Sequence, residues 1–245
     1  MHDLTQRQIQ ILKSIIEEYI ETAEPIGSET LEKKHSISAS PATIRNEMVK
    51  LTELGYLKKP HTSAGRTPTP AAMRLYVKQL MKEKDLSVAD EVAVKEKLWD
   101  HRSKEDKFFR ELTKSLADRT KALAVATTEE GNFYCAGYAN ILDMPEFFDI
   151  DVTRSLLLAI DEFECFQELF TKVMGLSEEE VYVLVGEDLG PKLSGPYGFV
   201  FTHYETAKHG AGEVGIVGPT RLNYTKVVPM VRYYGDLITE IASGW

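Results

Sequence analysis

The sequence of 245 residues contains only two cysteines, Cys135 and Cys165, which is too few for a disulfide framework. Its six histidines are scattered, with no spacing typical of metal ligands. The longest apolar runs, such as LLLAI at 156–160, are far shorter than the roughly 20 residues that cross a bilayer. Because the chain opens with the polar stretch MHDLTQRQ, we expect no secretory signal peptide. These absences favour a protein of the reducing cytoplasm without bound metal.

Patterns that carry catalysis or bind cofactors are also scarce. The sequence has no GK[ST] string of a phosphate-binding loop. Residues 210–215, GAGEVG, fit the spacing GxGxxG, but a dinucleotide site needs that string between a strand and a helix, and here it leads into a strand. Cys135 lies in an apolar run without a nearby histidine, which indicates a small core residue rather than a nucleophile. We therefore expect no catalytic residues, no cofactor and no enzymatic activity.

The net charge of −9 argues against a generic nucleic-acid binder, but the charge is unevenly distributed. Residues 33–82 contain ten lysines and arginines against two glutamates, a local charge of +8. Residues 83–245 contain 17 basic and 29 acidic residues, a charge of −12. A basic patch on an acidic protein indicates a surface for a polyanion. Charge alone does not distinguish such a surface from an ordinary solvated basic face.

The first 35 residues predict two helices. Thr5 can cap the first helix, and Gln8, three residues later, can complete a capping box. Apolar residues then recur at helical spacing, and the segment 24–27, EPIG, ends the helix. Ser28 can cap a short second helix that runs to Lys34.

A third helix begins at SPATIRN, residues 40–46. Ser40 is a favourable N-cap, and proline suits the first helical position because its missing N–H would be unpaired there anyway. Ile44, Met48 and Leu51 form the apolar stripe, so the polar residues between them face away from the core. Arginine suits guanine, asparagine suits adenine and threonine suits the thymine methyl group. The DNA contacts predicted for this helix are Ser40, Pro41, Thr43, Arg45, Asn46 and Lys50.

The stretch HTSAGRTPTP, residues 61–70, lies between a short predicted strand at 56–60 and another predicted helix. Taken alone, this stretch would be a plain surface turn. However, three helices followed by a strand, a polar loop and a segment that turns back toward the strand are typical of a winged helix. As the wing, it can approach the sugar–phosphate backbone, with Gly65 allowing unusual backbone angles. The predicted backbone contacts are Lys58, Lys59, His61, Ser63 and Arg66.

Segments near both ends of the chain resemble the heat-inducible transcription repressors of the HrcA family. Residues 5–31 and 40–69 resemble its DNA-binding part, and residues 212–231, GEVGIVGPTRLNYTKVVPMV, resemble its C-terminal signature. The resemblance implies a cytoplasmic homodimer that binds double-stranded DNA at an inverted-repeat operator upstream of chaperone genes and is released on heat stress. It also implies that the chaperonin helps to keep the repressor active.

The resemblance implies an α+β architecture, with a winged helix-turn-helix at 1–82, a helical linker at 83–120 and a GAF-like regulatory and dimerisation domain at 121–245. Family members usually run longer, with a dimerisation segment inserted in the GAF-like domain, whereas residues 122–149 pass directly to the part after that insertion. The residues themselves predict strands at 122–127, 133–138, 181–185, 199–204 and 214–217, and helices at 152–174 and 223–241.

Other functions stay open at this point. The alternative to a heat-released repressor is a ligand-gated winged-helix regulator, which predicts a pocket with convergent polar groups in the GAF-like domain. An architectural winged helix would bind DNA without sequence preference. An enzyme with an appended winged helix would need a catalytic constellation that the sequence does not present.

Overall fold

The computed structural model describes residues 4–35, 37–60, 64–102, 104–162, 164–175, 179–193, 195–206 and 210–242. The chain divides into two compact units. The first comprises residues 1–82 with 220–223, and the second comprises residues 83–219 with 224–245. The segment 83–120, which the sequence suggested as a linker, falls within the second unit.

The first unit combines a helix-turn-helix with a small antiparallel sheet. In the sheet, Leu57 pairs with Pro68 and Lys58 with Thr67. An isolated bridge between Ile26 and Arg66 adds a third short segment. The elements are α1 (Gln6–Thr22), α2 (Ser28–Lys34), α3 (Pro41–Glu53), β1 (Leu57–Lys58), β2 (Thr67–Pro68) and α4 (Pro70–Leu75), which continues as a π-helical turn at Tyr76–Leu80.

Local sequence determines where these helices begin. The Gln8 N–H donates to Thr5 Oγ1 at 3.3 Å and the Thr5 N–H donates to Gln8 Oε1 at 2.9 Å, which confirms the predicted capping box. The predicted Ser28 cap is wrong, because Gly27 is the N-cap of α2 and Ser28 is its buried first residue. Its hydroxyl is therefore inside the unit rather than at the helix entrance.

The core of the first unit holds α3 against α1 and α2. Each buried aliphatic side chain stabilises the fold by about 1.5–3 kcal/mol. Because this core takes one face of α3, the opposite face is left to solvent. The fully buried residues of the helix-turn-helix are Ile11, Leu12, Ile15, Ile16, Leu31, Ile44 and Leu51.

The second unit is an α+β domain. Three short 3₁₀ turns at Pro145–Phe148, Gly186–Leu189 and Pro191–Leu193 join its larger elements. These are α5 (Val88–Trp99), α6 (Glu105–Thr120), β3 (Leu123–Thr127), β4 (Phe133–Ala136), α7 (Tyr138–Leu142), α8 (Ile150–Asp161), α9 (Glu164–Met174), β5 (Tyr182–Val185), β6 (Tyr197–Thr206), β7 (Gly210–Pro219) and α10 (Tyr224–Ala242).

The sheet has the order β4-β3-β7-β6-β5 with antiparallel neighbours, or 2-1-5-4-3 counted within the unit. Leu123 and Val125 point into a core cluster with residues of α8 and α9. The alternate residues face the other side, where α6 and α10 pack and the Ser115 and Tyr234 hydroxyls lie 2.8 Å apart. A five-stranded antiparallel sheet in this order, with helices on both faces, confirms the predicted GAF-like α+β domain.

Two predicted elements of the second unit differ in the structure, and the prediction that GAGEVG leads into a strand is confirmed. The single helix predicted at 152–174 is wrong, because α8 ends at Asp161 and Glu162 leaves helical geometry with φ −93° and ψ 71°. The predicted strand at 133–138 ends at Ala136, since Gly137 with φ +91° turns the chain into α7. The string GAGEVG lies inside β7 and pairs with β6, not at the start of a helix.

The charged segment 83–120, predicted as a helical linker, contains two helices, α5 and α6. The stripe Phe109, Leu112 and Leu116 is buried, and α6 packs against β3 and β4. The segment therefore contributes to the core of the second unit.

Candidate nucleic-acid interface

The α3 helix presents one continuous face to solvent. Ile44, Met48 and Leu51 are at most 4% exposed and form its inner face. Arg45 and Asn46, predicted from the sequence, are exposed on the outer face. Two further residues of the outer face, Ala42 and Val49, were not predicted from the sequence. Together with Arg45 and Asn46 they have the spacing i, i+3, i+4 and i+7, which places all four on the side of the helix opposite the buried stripe.

The first turn of α3 is held by its own side chains. Ser40 Oγ accepts the Thr43 N–H at 3.3 Å, and the two hydroxyl oxygens lie 3.0 Å apart. Pro41 occupies the first helical position, as predicted. The structure therefore places Ser40 and Thr43 as capping groups, and Thr43 is half-buried. The positive end of the α3 helix dipole lies at this N-terminus, so the first turn favours binding of an anion.

Glu47 introduces an acid into the middle of α3, and its charge is balanced locally. Its carboxylate accepts hydrogen bonds from Gln8 Nε2 at 3.0 Å and Lys50 Nζ at 3.1 Å. Burial alone would raise the pKa of Glu47, but the hydrogen bonds from Lys50 and Gln8 outweigh burial and lower the pKa. The Lys50 ammonium, predicted to contact DNA, thus lies beside Glu47.

In the wing, Lys58 and Lys59 are exposed at the end of β1. Arg66 is half-buried: its N–H donates to the Ile26 carbonyl at 2.8 Å, and its Nε donates to Thr52 Oγ1 at 3.1 Å. Arg66 therefore ties the wing to the end of α3 and to the α1–α2 turn. The predicted contacts His61 and Ser63 lie outside the described residues.

Gly65 has a different role from the one the sequence suggested. Unusual backbone angles are not the reason for it, because its φ lies outside the left-handed region. Instead, a Cβ at this position would lie 2.4 Å from the Ile26 carbonyl oxygen and 2.8 Å from the Pro25 carbonyl oxygen. Gly65 thus permits close contact between the wing and the α1–α2 turn.

We expect Gly65→Ala to destabilise the first unit by about 1–3 kcal/mol, because the added methyl group must displace backbone atoms. Hydrogen exchange of peptides from α1–α3 should accelerate accordingly. Gly27→Ser is the control, since a Cβ there meets nothing within 4 Å and serine is a favourable N-cap for α2. Equal effects of the two substitutions would contradict the packing role of Gly65.

Glu18 is a further buried acid of the first unit that sequence reasoning missed. Its side chain is only 5% exposed, and it accepts hydrogen bonds from Lys34 Nζ and, at 3.1 Å, from His35 Nε2. The hydrogen bond from Lys34 outweighs burial and, with that from His35, lowers the pKa of Glu18. Glu18 therefore joins α1 to the end of α2. No local pattern signals this cluster, because its members are 16 and 17 residues apart.

The second unit contains a partly open cleft of about 410 Å³ between α6 and the edge strand β4. Arg110, Lys114, Cys135 and Tyr138 are among its lining residues. Burial raises the pKa of Cys135 to about 11, so its thiol stays protonated near neutral pH and is a poor nucleophile. The size of the cleft falls within the usual range for small-molecule sites, so the ligand-gated alternative has a candidate location.

Two family descriptions match the chain. "Winged helix-turn-helix transcription repressor, HrcA DNA-binding" matches residues 3–82, and "HrcA protein C terminal domain" matches residues 44–228. The chain belongs to the HrcA family. This confirms the resemblance predicted from the sequence and establishes a repressor with a winged-helix DNA-binding domain, a class of protein that is not enzymatic.

Several HrcA relatives align over nearly their whole length. "Heat-inducible transcription repressor HrcA" of Geobacter sulfurreducens is 27% identical, with 100% of both chains covered. That of Clostridioides difficile is 24% identical, with 97% of this chain and 99% of the relative covered. The Geobacter alignment extends over 343 positions, 98 more than the 245 residues of this chain. The chain is therefore a short form of the family, as predicted.

A solved crystal structure, of a protein described as hypothetical, has the same fold. It superposes with a TM-score of 0.76 at 18% identity and covers 98% of each chain. Among the described residues, no helix is long and apolar enough to cross a membrane. In the same part of the chain, no group of three or more His, Cys, Asp or Glu side chains is placed to hold a metal ion.

Proposed function

We propose that this protein represses chaperone genes in the cytoplasm by binding an inverted-repeat operator as a homodimer, and that heat stress releases it. The observation that supports DNA reading most directly is the outer face of α3. Arg45 and Asn46 project there, and the neighbouring acid Glu47 is balanced by Lys50 and Gln8. A dimer would place two such helices on the two half-sites of the repeat.

In this proposal, base reading and backbone contact fall to different residues. Arg45 reads guanine and Asn46 reads adenine in the major groove. Ser40, Pro41 and Thr43 present the helix N-terminus to a phosphate, and Lys50 contacts DNA further along α3. Lys58, Lys59, Arg66, His61 and Ser63 hold the sugar–phosphate backbone through the wing.

Val49 is 39% exposed on the same face and offers two methyl groups to the major groove. We expect it to contact a thymine methyl group. Replacing that thymine by deoxyuridine should weaken binding about fourfold, since one methyl group contributes about 0.8 kcal/mol. Fluorescence anisotropy on a series of single deoxyuridine operators measures the effect.

The effect should disappear in Val49→Ala at the responsive position and persist at positions read by other residues. Deoxyuridine in the spacer between half-sites is the control and should change nothing. If Val49→Ala retains the full deoxyuridine effect at every position, Val49 does not read thymine.

Heat release requires that the regulatory unit lose its DNA-competent arrangement at moderate temperature. Proteins have small stability margins, so partial unfolding of one unit is a feasible switch. The chaperonin would act as a partner that restores the active form. Both tryptophans, Trp99 and Trp245, lie outside residues 1–82, so tryptophan fluorescence follows the second unit separately.

The test combines DNA binding with unfolding. Anisotropy titrations compare an inverted-repeat chaperone operator with a scrambled duplex across a salt series. The proposal expects the operator to bind roughly 10³-fold more tightly or better. It also expects operator affinity to fall with temperature in parallel with the tryptophan fluorescence transition. Equal binding of both duplexes would contradict specific repression. Operator affinity that stays constant while the second unit melts only far above heat-shock temperatures would contradict heat release.

A further inference from the structure

Six large apolar side chains on α7, on α8 and on the segment that joins these helices are open to solvent, and together they are called the apolar strip. Taking about 200 Å² for a fully exposed large side chain, the strip exposes on the order of 600 Å². This equals the largest apolar patches of typical monomers, about 300–600 Å², and such patches mark interaction surfaces. The exposed fractions are 46% for Tyr138, 57% for Leu142, 71% for Phe148, 73% for Ile150, 37% for Leu157 and 50% for Leu158.

The α8 helix forms the centre of this strip. Thr153, Leu156, Ala159 and Ile160 are its buried face. At 3.6 residues per turn, the exposed residues fall within about 160° of the helix circumference. In chain order, these residues are Ile150, Asp151, Arg154, Ser155, Leu157, Leu158 and Asp161, and all of them except Asp151 and Ser155 fall within about 100°.

Two of the three exposed charges of α8, Arg154 and Asp161, are self-complementary, and the third, Asp151, lies near the start of the helix. Arg154 and Asp161 have opposite signs, are both exposed, and have no ion-pair partner among the described residues. They flank Leu157 and Leu158. If a second α8 lies antiparallel about a two-fold axis between the two leucines, Arg154 of each copy faces Asp161 of the other. A two-fold interface requires this reciprocity.

We infer that the exposed face of α8 packs antiparallel against the same face of a second copy of this chain. The inference rests on the proposed homodimer and gives its surface. The apolar strip and its charged rim approach the roughly 800 Å² per partner of a standard interface. Leu157 and Leu158 form its centre, and two Arg154–Asp161 pairs form its edges.

The first experiment measures the dimer dissociation constant of the full chain by sedimentation over a concentration series. Leu158→Glu places a charge at the centre of the interface in both copies, so dimerisation should weaken roughly 100-fold or more. Val92→Glu is the matched control: Val92 is 48% exposed on α5, and its substitution should leave the dimer unchanged.

The second experiment exchanges the charges. Arg154→Asp alone or Asp161→Arg alone places like charges opposite each other twice, so each should weaken the dimer. The double variant restores both pairs and should recover dimerisation to near the wild-type constant, a coupling that independent surface sites do not show. These side chains are at the surface, so the exchange remains decisive even if Leu158→Glu fails to fold.

The outcomes separate this interface from the proposed function. A wild-type dimer that survives Leu158→Glu and both single charge reversals overturns the α8 interface and leaves the dimeric repressor intact. A wild-type chain that is monomeric at all concentrations overturns the interface and the proposed dimer together. Operator preference over the scrambled duplex tests DNA reading independently of both. Loss of the dimer in the single reversals and its recovery in the double variant establish the inference.

Discussion

Arg45→Ala should lose about 1–3 kcal/mol of operator preference per half-site, because the arginine fork makes a bidentate contact with guanine that alanine cannot replace. In a dimer both half-sites lose it, so the preference over a scrambled duplex should fall by one to several orders of magnitude. Binding to the scrambled duplex should change little, because Arg45 lies on the outer face of α3 that is proposed to read bases, rather than in the wing. Anisotropy titrations on both duplexes measure this difference.

Lys58→Ala is the matched control for Arg45→Ala, since Lys58 is an exposed cation of the same unit in the proposed backbone-contacting set. It should weaken binding to both duplexes alike and reduce the salt slope by about 0.9 for each phosphate that the protein no longer neutralises. Arg45 would be only another phosphate-binding cation if its substitution behaved as Lys58→Ala does, with preference unchanged and the salt slope reduced.

Features set by neighbouring residues were predictable from the sequence. The Thr5–Gln8 capping box and the Ser40 cap of α3 involve residues three positions apart, so a short stretch of sequence includes both partners of each hydrogen bond. The buried stripe Ile44, Met48 and Leu51 follows in the same way from helical periodicity. The outer face of α3, and with it Arg45 and Asn46, was therefore accessible before any coordinates.

Features set by distant residues were not predictable in this way. The close contact of Gly65 with Pro25 and Ile26 joins segments about 40 residues apart, whereas the sequence suggested only that Gly65 allows unusual backbone angles in the wing. The break between α8 and α9 carries neither glycine nor proline, so the apolar spacing suggested one continuous helix. Strand order likewise depends on long-range pairing that no local motif encodes.

The structure gives two of the basic residues that were predicted to contact DNA, Arg66 and Lys50, contacts within the first unit. Arg66 was predicted to contact the DNA backbone. In the structure, its Nε donates a hydrogen bond to Thr52 and its main-chain N–H donates to the Ile26 carbonyl. Lys50 balances Glu47 on α3. Because both side chains also make contacts within the first unit, we expect substitution of either one to affect folding and the proposed DNA binding together. Arg45 and Lys58 are the more informative positions for separating base reading from phosphate contact.

Glu18→Gln should destabilise the first unit by about 1.5–3 kcal/mol, the range for hydrogen bonds to charged groups. Glutamine keeps the size of the side chain, but it cannot offer a carboxylate to Lys34 and His35 at the α1–α2 junction. Hydrogen exchange of peptides from α1 and α2 should accelerate by about one to two orders of magnitude. Tryptophan fluorescence, which follows the second unit, should keep its transition. Glu17→Gln is the control, since Glu17 is 42% exposed and its pair with Lys13 is an ordinary surface ion pair.

The dependence on pH distinguishes the charge of Glu18 from its packing. The pKa of Glu18 is below its ordinary value of 4.5 because Lys34 and His35 donate hydrogen bonds to the carboxylate, against the opposing effect of burial. A carboxyl group whose pKa is lowered by folding stabilises the fold above its ordinary pKa, and this contribution is lost as pH falls through the lowered pKa. The stability difference between wild type and Glu18→Gln should therefore be largest near neutral pH and shrink below 4.5. A difference that stays constant across this range would assign the effect to packing alone. A difference that vanishes with falling pH would show that the buried charge joins α1 to α2, the two helices against which α3, the proposed DNA-reading helix, packs.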